Sequence, residues 1–435
     1  MQGQLIDPKD LLKINPKLTN INLHLCVECK STKLLCGEAV CPLIQTINIS
    51  TRVKDKVDSL AVTNSVFGPS PQIFIGSYDY PNLNTGPMTS LFPEESKIMG
   101  KPSDWVSLAI EEIIDLRFGL IRGKQKANAN FQKDTFSSKL QDQVQELAMS
   151  VKPVEIEGIF AKKPVFDIKL NSETQPMGPS GVLSKFDITS NPKIPVKVES
   201  TLTDEITSFE QMNTLYGSGY DVYYLQNLFS TGSTGRDANA KLVPTRWSIT
   251  ATDDIIGKHQ INQLRDLPEV NNIQIYTNNF LGNYFTVSLL PGRWQFENFE
   301  TWIPGSIFTI AENSINTSVN REGFTSKEVR AGRNNYASQA GGYYASRLAV
   351  LEHLHKINRQ ARVIVIREIT PEYTVPVGVW AVREGMRKTM DSSPTIVSSL
   401  SELKQLIQSK IQTNLDNYIQ KSELFNQRTL LDYFF

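Results

Sequence analysis

Apolar side chains recur every three or four residues in several segments of the chain, and this spacing predicts amphipathic helices. The clearest example begins at Ser103, a residue type that caps helices, and continues through early acidic residues to a glycine at Gly123. Its apolar positions are Trp105, Leu108, Ala109, Leu116 and Leu120, and those of the next predicted helix are Phe136, Leu140, Val144 and Leu147. Helices are predicted at 103–123, 134–150, near 207, at 340–358 and at 402–420.

Short apolar or alternating runs bounded by glycine and proline predict strands instead. Such runs occur at 72–75, 154–160, 164–170, 273–276, 284–290 and 362–366. Because helical and strand segments alternate irregularly, we expect an α+β fold with a mixed or antiparallel sheet core.

Changes in composition along the chain predict its organisation into parts. We expect an N-terminal module at 1–50, an α+β core at 51–388, a Ser/Pro-rich linker at 389–400, a C-terminal helix at 401–425 and a flexible terminal peptide at 426–435. Within the core, a boundary between two subdomains is placed near residue 200.

Composition limits the class of protein. With 435 residues and 40% hydrophobic content, the chain is long enough for one large or two medium domains. Lysine plus arginine equals aspartate plus glutamate at 45 each, so any DNA contact must come from a local basic patch. The N-terminal residues lack the features of a signal peptide, and no apolar run is long enough to cross a bilayer. We therefore expect a cytoplasmic protein with no membrane partner.

All four cysteines fall within one short N-terminal stretch, as Cys26, Cys29, Cys36 and Cys41. A Cys-x2-Cys pair holds one metal ion from a tight turn, and a second pair completes a tetrahedral shell of four thiolates. Soft thiolate ligands favour zinc. Because a full shell leaves no open coordination position, the sequence predicts a small four-cysteine knuckle around a structural Zn²⁺ ion rather than a catalytic centre.

Three other interpretations of the four cysteines stay open. A 4Fe–4S cluster uses the same number of ligands. Two local disulfides are disfavoured by the expected intracellular location, and a Cys-x-x-Cys redox pair lacks a thioredoxin-like context in this sequence.

The chain ends in QRTLLDYFF, which matches the sliding-clamp binding pattern Gln-x-x-aliphatic-x-x-aromatic-aromatic. In a 3₁₀ turn, residues three apart lie above one another, so Leu430 and Tyr433 share one face and Phe434 adds a second ring. The amide of Gln427 can donate and accept hydrogen bonds in a separate pocket. We expect this peptide to bind the DNA polymerase sliding clamp, PCNA, and the alternative is a terminal segment that packs on the protein's own core.

The segment 321–388 is locally basic, with twelve basic and six acidic residues and hence a net charge of +6. Arginines interleaved with tyrosines suit nucleic acid, which they bind through charge and stacking. The candidate DNA-contacting residues are Arg330, Arg333, Arg347, Arg359 and Arg362. The alternative is a solvated helix face whose tyrosines belong to the core.

The segment 230–254 contains the candidate catalytic residues. Its glycines and basic residues suit a phosphate, and Arg246 precedes the adjacent carboxylates Asp253 and Asp254. Such a group suits a nucleotide, or a magnesium ion that assists phosphodiester hydrolysis. The segment lacks the P-loop pattern, however, and is equally consistent with a hairpin and a strand that ends in an acidic turn.

With these motifs in view, the chain resembles the archaeal Nre family of DNA repair proteins. The resemblance covers nearly the whole chain and is carried by CVECKSTKLLCGEAVCP, FGPSPQIFIGSYDYPNLNTGPM, LVPTRWSITATDD, NYFTVSLLPGRWQFE and QRTLLDYFF. It implies a DNA repair factor with a four-cysteine zinc finger and a clamp-interacting terminal peptide. The residues to which these roles carry over are Cys26, Cys29, Cys36 and Cys41 for zinc, and Gln427, Leu430, Tyr433 and Phe434 for the clamp.

The first hypothesis is therefore a DNA repair factor that the sliding clamp recruits to DNA. A competing hypothesis is an enzyme that acts on damaged DNA or a nucleotide cofactor through the segment 232–254. A third is an RNA-associated zinc protein whose terminal match is coincidental. The resemblance implies no chemical activity.

Overall fold

A computed structural model describes residues 22–31, 33–38, 41, 43, 50–130, 135–166, 173–236, 240–309, 314–324, 328, 333 and 335–427. These residues divide into two compact units. Unit 1 comprises the described residues of Ile47–Ile256 and Val377–Trp380, and unit 2 comprises those of Ile6–Thr46, Gly257–Pro376 and Ala381–Phe435. The sequence placed a subdomain boundary near residue 200, whereas the structure divides the chain after Ile256.

One six-stranded sheet lies in unit 1 among its described residues. Its strands are β1 (Ser65–Ser70), β2 (Gln72–Ile75), β3 (Asn82–Ser90), β4 (Leu120–Asn128), β5 (Val154–Phe160) and β6 (Ser180–Ile188). The order is β1-β5-β6-β4-β3-β2, and neighbours are antiparallel except β4 and β6, which are parallel. Strand β5 buries alternate residues, as its alternating apolar sequence predicts.

A second six-stranded sheet lies in unit 2 among its described residues. Its strands are β7 (Ile273–Phe280), β8 (Asn283–Leu290), β9 (Gln295–Trp302), β10 (Asn316–Glu322), β11 (Arg362–Ile369) and β12 (Thr395–Val397). The order is β10-β9-β11-β8-β7-β12, with β9 and β11 as the parallel pair. Two mixed sheets with helices between their strands confirm the α+β class.

The helices differ widely in length. They are α1 (Cys26–Cys29), α2 (Thr51–Thr63), α3 (Ser96–Met99), α4 (Ile110–Phe118), α5 (Thr135–Met149), α6 (Val196–Thr203), α7 (Ser208–Gly217), α8 (Val222–Ser230), α9 (Thr245–Leu264), α10 (Gly341–Lys356), α11 (Trp380–Met390), α12 (Leu400–Lys410) and α13 (Asp416–Ile419). Helices α5, α7 and α10 confirm the predictions at 134–150, near 207 and at 340–358. Thr207 caps α7 through a reciprocal pair of hydrogen bonds. Its hydroxyl oxygen accepts from the backbone N–H of Glu210, and the carboxylate of Glu210 accepts from the backbone N–H of Thr207.

The predicted helix at 103–123 is wrong in its extent. A 3₁₀ turn covers Pro102–Trp105, the helix α4 covers only Ile110–Phe118, and the chain enters strand β4 at Leu120. The backbone N–H of Ala109 donates to the carboxylate of Glu112 and so starts the helix at a later residue than Ser103. Leu120 continues the apolar spacing but is buried in the sheet, so its hydrophobicity does not distinguish helix from strand.

The interpretation of 230–254 as a hairpin and a strand is also wrong, because helix α9 begins at Thr245. The carbonyl of Pro244 accepts from the backbone N–H groups of Trp247 and Ser248 at 2.8 and 2.9 Å. Proline is pre-set for the first turn of a helix. The β-branched residues that suggested a strand are accommodated in a 20-residue helix by its packing.

The region predicted as a linker and one long helix is more structured than expected. Strand β12 lies inside 389–400 and pairs antiparallel with β7. The following helix ends at Lys410, because the carboxylate of Glu368 accepts from the backbone of Gln412 and Thr413. Helix α13 follows after a break.

The C-terminal elements complete the hydrophobic core of unit 2. Leu403 and Ile407 of α12, Tyr418 of α13, and Leu424 and Phe425 beyond it are buried in this cluster. They share it with strand residues Ile275, Leu290, Phe299, Ile364 and Ile366. Burial of each such side chain stabilises the fold by about 1.5–3 kcal/mol, so the end of the chain is firmly held up to Phe425.

Candidate functional site

The four cysteines line one cavity in unit 2. Helix α1 carries Cys26 and Cys29 one turn apart, and Lys30 ends this helix in the left-handed conformation. Cys29 and Cys41 are buried, whereas Cys26 and Cys36 are half-buried. The chain therefore brings all four predicted ligands to one place.

Apolar side chains surround the thiols in this cavity, among them Leu25, Leu34, Leu43 and Phe308. Such a wall excludes water and suits a structural thiolate site. In the described part of the chain, however, no three or more His, Cys, Asp or Glu side chains are arranged to hold a metal ion.

Lys30 holds the cysteine segment to the sheet of unit 2. Its ammonium group forms an ion pair with Glu300 of β9 and lies 5.7 Å from the ring centre of Trp302. Glu300 also pairs with Arg367 of β11 at 2.9 Å. Burial alone would raise the pKa of Glu300, but the two cations outweigh it and lower the pKa below its ordinary value.

Arg347 does not belong to a DNA surface. Its side chain is fully buried, and it forms an ion pair of 2.5 Å with Glu322, which is buried as well. Tyr343 and Tyr344 are also buried. The prediction is wrong for Arg347, because all residues of α10 from Gly341 to Leu351 are buried and its arginine meets a carboxylate from β10.

The other candidate arginines of this segment differ in position. Arg333 and Arg359 are partly exposed and donate to the backbone of Asn335 and Asn358. Arg362 begins β11 and donates to the carbonyl of Pro291 at 2.9 Å. Arg330 lies outside the described residues.

Arg293 is an exposed arginine that the sequence analysis did not select. It lies in the turn between β8 and β9, and Arg362 pairs with Leu290 and Gln295 at the two ends of that turn. Arg293 therefore lies close to Arg362. The signal was present in LLPGRWQFE, where this arginine follows a Pro-Gly turn at the end of the predicted strand 284–290. The backbone of Glu269, an exposed residue, forms a β-bridge with Gln360 nearby. This surface therefore also carries an acidic side chain.

The candidate catalytic residues do not form a site together. Arg246 makes a two-pronged ion pair with Glu173. Asp253 is buried and Asp254 is half-buried on the same helix. Successive helical residues point about 100° apart, so the two carboxylates do not face one ion.

The terminal peptide begins directly after a well-anchored segment. The carboxylate of Glu297 accepts from Ser422 at 2.5 Å and from the backbone of Glu423 at 2.7 Å. Phe425 is buried, and Gln427 is exposed two residues later. Leu430, Tyr433 and Phe434 lie outside the described residues.

Within the part of the chain that the structure covers, no helix combines the length and the apolarity needed to cross a bilayer.

Two family models match the chain. The model described as Archaeal Nre, N-terminal matches residues 35–309, and the model described as Archaeal Nre, C-terminal matches residues 328–434. The first match begins between the two cysteine pairs, and the second extends into the terminal peptide.

Curated relatives match over most of their length. The chain is similar to the DNA repair protein NreA of Archaeoglobus fulgidus, with 35% identity over 87% of this chain and 91% of the relative. It is similar to the DNA repair protein NreB of the same organism, with 32% identity over 94% of this chain and 99% of the relative. The DNA repair protein NreA of Haloferax volcanii is 35% identical over 78% of this chain and 81% of its own. No solved structure matches the chain.

Proposed function

The chain belongs to the archaeal Nre family, and from this premise we propose that it is a DNA repair factor that the sliding clamp recruits through the C-terminal peptide. The repair role is supported by the names of the three relatives, each of which is a DNA repair protein. The alignments with them span more than three quarters of this chain.

The observation that carries the clamp proposal is the spacing of the terminal residues. Gln427, Leu430, Tyr433 and Phe434 fill every position of the clamp-binding pattern. Gln427 is exposed and follows the buried anchor at Phe425 by two residues, so the first residue of the pattern is accessible to a partner. A short peptide that starts at such a point can enter a groove of a partner without disturbing the fold that precedes it.

The test is a calorimetric titration of the full chain against the sliding clamp of its own organism. We expect the double substitution Tyr433→Ala/Phe434→Ala to weaken binding by about 30-fold or more, because loss of even one buried aromatic anchor at an interface costs about 2 kcal/mol or more. A chain that ends at Asn426 should not bind.

The matched control is Thr429→Ala/Asp432→Ala, which changes two positions that the pattern leaves open. It should bind within about threefold of the unchanged chain, because such positions carry little of the binding energy. Equal binding by the full chain and the truncated chain would reject the clamp proposal.

We further propose that the four cysteines hold a structural zinc ion. Their common apolar cavity and the soft character of four thiolates support this assignment. When bound, zinc would cross-link the segment around α1 through Cys26, Cys29, Cys36 and Cys41. Lys30 helps to position this segment through its part-buried ion pair with Glu300.

For contact with DNA we propose the partly exposed arginines of unit 2. Arg359 and Arg362 lie three residues apart, and Arg293 lies in the turn beside Arg362. Guanidinium groups bind phosphate oxygens in a bidentate geometry. Several of them together form a local basic patch in a chain with no net charge. Arg333 is a fourth candidate, on the segment that precedes α10.

A further inference from the structure

A small cavity lies within unit 1 and has a different chemistry from the cysteine cavity. Strands β2 and β3, helices α4, α8 and α9, and the segment 174–177 supply its walls. Its volume is about 20 Å³, and one water molecule needs roughly 10–15 Å³. The cavity therefore admits a single water molecule or a monatomic anion, but not a phosphate group or a nucleotide.

Among the described residues that line the cavity, Arg117 of α4 is the only charged one, and it is only 1% exposed. Its Nε donates to the carbonyl of Pro176 at 3.0 Å. One terminal nitrogen donates to Gln72 Oε1 at 2.9 Å and to the carbonyl of Met99. The guanidinium thus joins three separate segments of unit 1, and all its acceptors among the described residues are neutral.

The positive charge of Arg117 needs a counter-charge, because a buried cation without one is unfavourable. Burial, and to a smaller extent the nearby positive charge of Arg122, lower the pKa of Arg117 to about 9. The guanidinium is therefore still a cation at neutral pH. A water molecule in the cavity would leave this charge uncompensated, whereas an anion would neutralise it.

Three groups on the wall of the cavity have unused hydrogen-bond donors. The second terminal nitrogen of Arg117 faces the thioether of Met88 at 3.8 Å, which is a weak contact. Gln226 of α8 is 6% exposed, and its side-chain nitrogen has no acceptor among the described residues. The hydroxyl oxygen of Thr245 accepts from the backbone N–H of Ile75 at 2.9 Å, so its own proton can be donated. Unused buried donors of this kind are rare, and they indicate an acceptor that the protein does not itself supply.

We propose that this cavity binds one chloride ion, held by Arg117, Gln226 and Thr245. The three donors replace the water molecules that chloride loses on burial, and the guanidinium supplies the opposite charge. The ion would stabilise Arg117 at the point where it joins three segments of unit 1. The inference does not depend on the clamp proposal, because it uses residues of unit 1 only.

The first experiment measures the thermal midpoint of the full chain over a range of chloride concentrations. Gluconate, an anion too large for the cavity, keeps the ionic strength constant. We expect a saturating rise of about 2–4 °C, because an ion that binds only the folded state stabilises it by mass action. Bromide should act like chloride. A midpoint that is independent of chloride would overturn the proposal.

The informative variant is Gln226→Glu, which preserves the shape of the side chain and places a carboxylate in the cavity with Arg117. Its midpoint should no longer depend on chloride, because Arg117 gains an internal counter-ion. Asn191→Asp adds the same charge at an exposed position of unit 1 and should keep the full response. A folded Gln226→Glu chain that responds to chloride like the unchanged chain would contradict the assignment.

Crystals of the full chain in bromide test the position of the ion without a substitution. The anomalous signal of bromide distinguishes the ion from a water molecule. We expect a peak within hydrogen-bond distance of the second terminal nitrogen of Arg117 and the side-chain nitrogen of Gln226. A water molecule at this place would overturn the proposal. A bromide peak without any effect of chloride on the midpoint would also overturn it, as binding at crystal concentration only.

Discussion

Buried ion pairs join distant parts of the chain within unit 2. Arg347 of α10 meets Glu322 of β10, and Glu300 of β9 meets both Lys30 and Arg367. Formation of such pairs gives little net stability, because both charges lose their hydration. Removal of one partner is costly, because the other charge stays buried and unpaired.

Arg347→Met should therefore destabilise the protein rather than reduce its affinity for DNA. We expect the free energy of unfolding to fall by about 3–5 kcal/mol, because Glu322 is left as a buried charge. Urea denaturation measures this change. The double substitution Arg347→Met/Glu322→Leu should recover most of the loss, and a single variant as stable as the unchanged chain would contradict the buried pair.

Arg359→Ala and Arg362→Ala should instead weaken DNA binding and leave stability nearly unchanged. Their side chains are partly exposed, so we expect a change in stability of about 1 kcal/mol or less and a weaker affinity for DNA. If they contact phosphates, each variant also reduces the slope of binding against salt concentration by about 1. DNA titrations at several salt concentrations test this, and unchanged affinity with unchanged slope would remove both residues from the interface.

The lowered pKa of Glu300 predicts that unit 2 loses stability in acid. Its pKa is lowered in the folded state, so its stabilising contribution is present above about pH 4.5 and is lost as the pH falls through the lowered value. Glu300→Gln should reduce the free energy of unfolding by about 3 kcal/mol at pH 7 and should flatten its decline in acid. Unfolding curves between pH 7 and pH 3 measure both effects, with Glu269→Gln as the exposed control.

At the residue scale, the sequence could predict which residues are charged but not which of them are buried. Arg347 and Arg359 look alike along the chain, and only the contact between α10 and β10 separates them. Arg117 shows the same limit, because its side chain is only 1% exposed. Its partners Gln72, Met99 and Pro176 come from three separate segments, and no local pattern brings them together.

At the scale of elements, the segment around α1 combines the cysteines with an ion pair to the sheet of unit 2. Two of its cysteines are half-buried, and Lys30 joins it to β9. A structural metal ion contributes folding free energy outright to small modules of this kind. The proposed zinc ion would therefore be a main source of order in this segment.

The zinc assignment predicts about one zinc ion per chain by elemental analysis. Removal of the metal with a chelator should lower the thermal midpoint, and Cys29→Ser or Cys41→Ser should abolish the metal content. Ser31→Ala changes a side chain that lines the same cavity and is not a thiol, so it should keep the metal. A brown protein that contains iron would indicate the 4Fe–4S alternative, and a protein without metal would contradict both.

Element types with strong periodicity could be predicted, and element ends could not. Helix α5 was predicted well because Leu140, Val144 and Leu147 form a regular stripe that is buried as expected. Helix α9 was missed because its β-branched residues resemble a strand, and tertiary packing overrides that preference. The short strand β12 was hidden in a Ser/Pro-rich run, since its pairing with β7 is not visible along the chain.

At the scale of the whole molecule, two units each contain a six-stranded mixed sheet. The sequence predicted the α+β class but not this division, because helix α9 continues through the boundary without a linker. The clamp pattern could be predicted in full, because its chemistry lies in consecutive residues and needs no tertiary contact.

Survival after DNA damage in the organism that encodes the protein is the most direct test of recruitment through the terminal peptide. A chromosomal Tyr433→Ala/Phe434→Ala strain should be as sensitive to damage as a strain that lacks the gene, while a Thr429→Ala/Asp432→Ala strain should survive like the parent. Protein levels should be equal in the two substituted strains, since the fold is anchored before the pattern begins. A Tyr433→Ala/Phe434→Ala strain that survives like the parent, beside a sensitive deletion strain, would contradict recruitment through the terminal peptide.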